Sequence, residues 1–131
     1  GVLADAIARA VRDFDAQIIL VGLAASELPR AGHALGLRVA HEAFADRRYE
    51  ADGSLTPRSI EDAVIEDVDA AVAQAVRIVT NGNVDIRSGG TRELSADTIC
   101  VHGDRPDAAL FARKLCEGLK AAGVDVAKFA G

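Results

Sequence analysis

The stretch "QIILVGLAASELPRAGHALGLRVAHEAF" (residues 17–44) decides the fold. Its first six residues are nearly all apolar, the pattern of a short strand buried on both faces. Ser26 then stands where a helix N-cap belongs, the helix runs to Leu35, and Gly36 stops it. "LRVAHEAF" (37–44) resumes an extended, apolar pattern. A strand, a helix and a second strand in this order imply a parallel pair with a crossover helix.

The flanks extend that unit. Upstream, "VLADAIARAVRDF" repeats apolar side chains at Leu3, Ile7, Ala10, Val11 and Phe14, which predicts a helix that buries this face. Downstream comes a long polar segment (45–66), punctuated by Asp52-Gly53 and Pro57. Asp67 can cap a helix whose apolar face is Val68, Val72, Ala75 and Val79, and Gly82 ends it. "VDIRSGGTREL" (84–94) reads as a hairpin around Gly89-Gly90, and "TICVHG" (98–103) as a further buried strand. Pro106 opens a last helix with Phe111, Ala112, Leu115 and Leu119 on one face, and Gly123 follows it. The final "VDVAKFAG" (124–131) reads as a terminal strand or a frayed end. The class is α/β: repeated βα units forming a parallel sheet, either doubly wound or part of a β/α barrel. Residues 1–131 are read as a single domain.

Composition narrows the function. Half of the 131 residues are hydrophobic, with four Phe, one Tyr and no Trp, which suits close packing of small side chains. Fifteen basic residues stand against twenty acidic ones, a net charge of −5, and the basic residues are scattered. Phosphate binding needs clustered Lys and Arg, so nucleic acid is not an expected partner. No apolar run approaches the roughly 20 residues of a spanning helix, and a membrane is not expected either. Cys100 and Cys116 fall in separate elements and read as cytosolic free thiols, so the expected compartment is the cytoplasm.

In parallel β/α folds, ligands bind where the strands end and the loops into helices converge. Polar residues gather at two such ends, "HEAFADRRY" (41–49) and "CVHGD" (100–104). In the latter strand Ile99 and Val101 share one face, and Thr98, Cys100 and His102 the other. Helices cover the apolar face, so His102 is expected to point inward, where an imidazole can serve as acid or base. His41 and Glu42 are adjacent, so only one of them faces the same interior. Asp104 reads first as a helix cap before Pro106 and only second as a candidate catalytic acid. Asp46, Arg47, Arg48 and Tyr49 follow Glu42 closely and could hold a polar substrate, the Arg forks through its carboxylate, or form internal salt bridges. His41, Glu42, His102 and Asp104 can be drawn into a metal site on paper, but no tight ligand motif supports it and none is predicted. The sequence carries no GxxxxGK[ST] phosphate loop and no GxSxG elbow.

Four strings carry a resemblance: "LVGLAASEL" (20–28), "VAHEAFADRRYEADGSLTPR" (39–58), "AVIEDVDAAVAQAVRIV" (63–79) and "ADTICVHGDRPDAALFARKL" (96–115). They resemble the LamB/YcsF family of bacterial 5-oxoprolinase A subunits, in the right order and over nearly the whole chain. The resemblance implies a β/α-barrel-like fold related to polysaccharide deacetylases. It also implies opening of 5-oxoproline to glutamate with ATP and Mg, and two partner subunits. Glu42, Asp46, Arg47 and Tyr49 match in one string, Asp52, Gly53 and Arg58 in the next loop, and His102, Gly103 and Asp104 in the last. His102, Glu42 and Asp104 are the catalytic candidates, and Asp46, Arg47, Tyr49 and Arg58 the substrate-binding ones.

Family members are longer. Their amino-terminal half carries N-A-D-x-G-E, N-x-A-C-G-x-H-A-G and K-P-H-G-A-L-Y type segments that this sequence lacks. The expectation is therefore the carboxyl-terminal half of a larger barrel, with open strand edges that favour self-association or pairing with the missing half. Alone, such a chain is expected to be inactive. The other readings are a non-catalytic assembly module and a metal-dependent, deacetylase-like hydrolase.

Overall fold

The computed structural model describes residues 1–129. The opening βαβ unit forms as read. Strand β1 (Ile19–Leu23) leads through helix α2 (Glu27–Ala34) to strand β2 (Arg38–Phe44), which lies parallel to it with Leu20 beside Val39 and Gly22 beside His41. Ser26 occupies the N-cap without a side-chain bond, and Gly36 adopts the left-handed conformation (φ 73°) that the stop requires. Strand β5 (Thr98–Cys100) pairs parallel with the far end of β2, giving a three-stranded sheet in the order β1-β2-β5.

Helix α3 (Val68–Asn81) begins at Asp67, whose carboxylate accepts the Ala70 amide at 2.7 Å, and ends at Gly82 (φ 65°). Strands β3 (Asn83–Asp85) and β4 (Thr91–Glu93) form the expected antiparallel hairpin. Helix α4 (Ala108–Ala121) starts two residues later than Pro106 suggested, with Asp107 as its N-cap residue. Residues 124–129 form no strand, and the rest of that terminal stretch, 130–131, lies outside the described residues.

Alternation along β2 sorts the layers. Val39 packs with Leu20, Ala31 and Leu37 beneath α2, and Ala43 packs with Ile78 of α3, Tyr49, Val84 and Leu94. Ile99 and Val101 lean on a third cluster built around Phe111 and Leu115 of α4 and Ala71 and Ala75 of α3. Helices thus cover one face of the sheet. The opposite face carries Glu42, Phe44, Cys100 and His102, and there Val21 is 47% exposed.

Helix α1 (Val2–Phe14) forms, but it buries a different stripe from the one expected. Ala4 and Ala8 are buried against α2 with Val11 beside them, while Leu3 is 74% and Phe14 85% exposed. Small side chains at i and i+4 let two helices approach closely, and that contact fixes the rotation of α1. The larger apolar residues are left facing outward.

Candidate functional site

The ends of β2 and β5 lie side by side, and the chain beyond them shapes an open cleft of about 480 Å³. Asp46, Arg47, Arg58, His102 and Asp104 line it together with Glu66, Arg105 and Asp107. The candidates from two distant segments therefore converge. Glu42 and Tyr49 do not line it.

His102 follows β5 on the uncovered face, where its ring stacks on Phe44 with centroids 5.6 Å apart. Its Nδ1 lies 3.2 Å from both carboxylate oxygens of Asp46. Its Nε2 lies 3.4 Å from Arg58 Nη2. A guanidinium can only donate, so Nε2 is the acceptor and Nδ1 carries the proton that it donates to Asp46. In its neutral form the imidazole is thus fixed in one tautomer, with its lone pair turned toward the cleft and an exposed cation. That is the arrangement of a carboxylate-oriented general base.

Asp46 is only 2% exposed, so its charge needs partners. Besides His102 it faces Arg105 Nη1 at 3.6 Å. Arg105 carries no motif signal in the sequence, yet it ties the whole rim together. Its Nε and Nη2 donate to the two oxygens of Asp107 at 2.6 and 2.9 Å, Nη2 also donates to the Glu66 carbonyl at 3.0 Å, and its guanidinium lies 4.7 Å above the Phe111 ring. The bond from Arg105 holds the Asp107 carboxyl below the usual range and keeps Arg105 more firmly protonated than an ordinary arginine.

Gln74 of α3 is a second support. Its amide nitrogen reaches the carbonyls of Phe44, Ala45 and Arg47 at 3.1, 3.0 and 2.9 Å, which pins the turn that carries Asp46. Asp104 is exposed and does not cap α4, because Asp107 takes the N-cap position.

Two candidates have structural duties instead. Arg47 is buried and spends its guanidinium on the carbonyls of Thr56 at 2.6 Å and Ala63 at 3.3 Å. Tyr49 is fully buried, and its hydroxyl accepts the Phe44 amide at 2.8 Å; burial pushes the phenol up to about 12. Such a side chain offers a substrate no surface, which corrects the expectation of a Tyr49 contact. Glu42 shares the open face with Cys100, and burial first, then the Glu42 and Asp46 carboxylates, raise that thiol above its ordinary value. His41 points to the helix side, so the paper metal site of His41, Glu42, His102 and Asp104 is not assembled. Among the described residues no group of three or more His, Cys, Asp or Glu side chains is placed to hold a metal ion, and no helix is long and apolar enough to cross a membrane.

A parallel α/β layer with a polar cleft at its strand ends is the class that fold and site define. The match to the LamB/YcsF family spans residues 1–131, and the chain belongs to that family. It is 55% identical over 129 residues to the 5-oxoprolinase A subunit of Methylococcus capsulatus, covering 98% of this chain and 50% of the relative. To the corresponding 5-oxoprolinase A subunit of Bacillus subtilis it is 52% identical over 124 residues, covering 95% and 48%. The crystal structure of a lactam utilization protein from Thermus thermophilus superposes with a TM-score of 0.86 at 40% identity, over 96% of this chain and 50% of that one. The chain thus spans about half the length of the relatives it matches.

Proposed function

We propose that this chain supplies the acid–base part of a lactam-opening site of the 5-oxoprolinase type. The observation that carries the reading is the Asp46–His102 pair, which leaves the Nε2 lone pair facing a cleft that also holds Arg58. Water attacking the lactam carbonyl carbon gives up a proton to His102 Nε2, and as the ring C–N bond breaks the imidazolium returns that proton to the departing nitrogen. Arg58 is the side chain placed to bind the substrate carboxylate. Asp46 stabilises the imidazolium as it forms, and Arg105 and Gln74 hold Asp46 in place. Asp104 and Glu42 are secondary candidates, Asp104 at the cleft rim and Glu42 further along the same open face.

Family function implies ATP with Mg and the other subunits of the enzyme. The cleft fits a polyphosphate poorly. Arg47 and Arg105 are committed to carbonyls and carboxylates and Arg58 is paired with His102 Nε2, while four acidic side chains share the lining. We therefore assign the nucleotide to surfaces outside this chain.

The exposed stripe of α1 and, on the other side, the uncovered sheet face support a second role, as assembly surfaces. Val2, Leu3 and Phe14 are 89%, 74% and 85% exposed, and among the described residues β1 ends the sheet with a free edge. In this reading another half of a family-length protein, or a second copy, covers α1 and the bare sheet face. The two roles are compatible, because covering that face would also close the site.

The test is reconstitution. The chain alone is expected to release no glutamate from 5-oxoproline. Adding the amino-terminal half of a relative, the partner subunits and ATP should restore release, and His102→Ala should abolish it. Unchanged activity of His102→Ala in the restored enzyme would remove His102 from the catalytic role. Co-purification with full retention of partners but no activity would leave only the assembly role.

A further inference from the structure

Away from the cleft, His33 in the last turn of α2 and His41 in β2 bring two imidazoles together. Their Nε2 atoms are 3.2 Å apart and their rings 5.5 Å, with 28° between the ring planes. We propose that His33 and His41 form a two-imidazole binding site for a divalent late transition metal such as zinc, nickel or copper.

The spacing carries the argument. Two Zn–N bonds of about 2.0–2.1 Å at a tetrahedral angle place their nitrogens roughly 3.3 Å apart. The pair already has that bite. Without metal the nitrogens face each other, one N–H donating to the other's lone pair. Coordination needs the rings to tilt so that both lone pairs converge, with each ring carrying its proton on Nδ1. His33 is exposed and free to make that tilt, whereas His41 is only partly exposed. The backbone of His41 is held by two hydrogen bonds to Asp97: its amide donates to the Asp97 carboxylate at 2.9 Å and its carbonyl accepts the Asp97 amide at 2.8 Å. One ligand is thus rigid and the other adjustable.

An open cavity of about 520 Å³ lies against His41, lined by Asn81, Asn83, Glu93 and Ser95 among others, and leaves room for water ligands. With two imidazoles and no third protein ligand among the described residues, the site selects ions that favour nitrogen over oxygen donors, and the ion exchanges readily. Magnesium and calcium, which require oxygen ligands, are not bound. A bound ion would tie the end of α2 to the middle of β2 and stabilise the fold by mass action.

Tag-free protein carrying Cys116→Ser, to remove the exposed thiol, is titrated with zinc or nickel chloride by calorimetry and by thermal melting. The expected result is one equivalent of ion, a melting temperature that rises with ion concentration, and no effect of magnesium. His33→Ala removes one of the two ligands and should weaken binding by more than the roughly 10–100-fold that loss of a ligand's support costs. His41→Ala should do the same without altering the zinc-free cleft. Equal binding and equal melting shifts in His33→Ala and its parent would overturn the proposal, as would no saturable binding by the parent.

Discussion

Replacing Tyr49 by Phe separates a strut from a substrate contact. The ring would still fill its fully buried position, but the Phe44 amide, which donates to the hydroxyl at 2.8 Å, would lose its acceptor. An orphaned buried N–H costs about 1–3 kcal/mol. Unfolding entropy of about 2.1 cal/mol/K per residue means that 131 residues lose roughly 4 °C of melting temperature per kcal/mol, so the variant should melt roughly 4–11 °C lower.

A second signature comes from pH. The folded phenol is pushed up to about 12; unfolded tyrosine titrates near 10, so above about pH 10 the unfolded state sheds a proton that the folded state keeps. Fewer protons bound in the unfolded state make stability fall as pH rises, by up to about 1.4 kcal/mol per unit between about pH 10 and 12. Urea melts of both proteins from pH 8 to 12 should show that extra alkaline slope in the parent and not in Tyr49→Phe. A variant as stable as its parent at pH 8, with the same alkaline slope, would refute the reasoning.

Other substitutions probe other joints. A Cβ on Gly32 would sit 2.7 Å from Leu20 Cδ2 and 2.8 Å from Val39 Cγ2, so Gly32→Ala should cost about 1–3 kcal/mol in denaturant melts. Arg105→Lys keeps a charge but cannot bridge Asp107, the Glu66 carbonyl and Asp46 together; amide exchange over residues 103–107 should accelerate and the melting temperature should drop. With a neutral-pH thiol reagent, the exposed Cys116 should react first and Cys100, raised by burial and nearby carboxylates, much more slowly.

How much of this is legible in the sequence follows from how local each signal is. The βαβ unit rests on short apolar runs and a Ser-to-Gly helix span. The α3 cap at Asp67 and the turn at Gly82 are each a single-residue rule, and all of them form. Alternation puts Thr98, Cys100 and His102 on one face and Ile99 and Val101 on the other, and the structure keeps that division although the strand itself ends at Cys100. The helix α1 face is not readable. A stripe of Leu3, Ile7 and Phe14 outweighs Ala4 and Ala8 in hydrophobicity, but the contact with α2 is decided by closeness of approach.

The capping signal read before Pro106 at Asp104 falls instead to Asp107, just after the proline, because α4 starts later than that residue suggests. Gln74, and Arg105 apart from its bond to nearby Asp107, act on backbone carbonyls and an acid tens of residues away. No spacing rule encodes such contacts. Tyr49 misleads because a motif position says that a residue matters without saying whether it supports the fold or touches a ligand.

The most direct test of the central claim is the tautomer of His102, read from its ring nitrogens by 15N NMR on the labelled protein at a pH where the imidazole is neutral. Donation to Asp46 and acceptance from Arg58 require a protonated Nδ1 and a bare Nε2. Asp46→Asn should weaken that preference. A bare Nδ1 with a protonated Nε2 in the parent protein would contradict the account, because the lone pair would then face Asp46 and not the cleft.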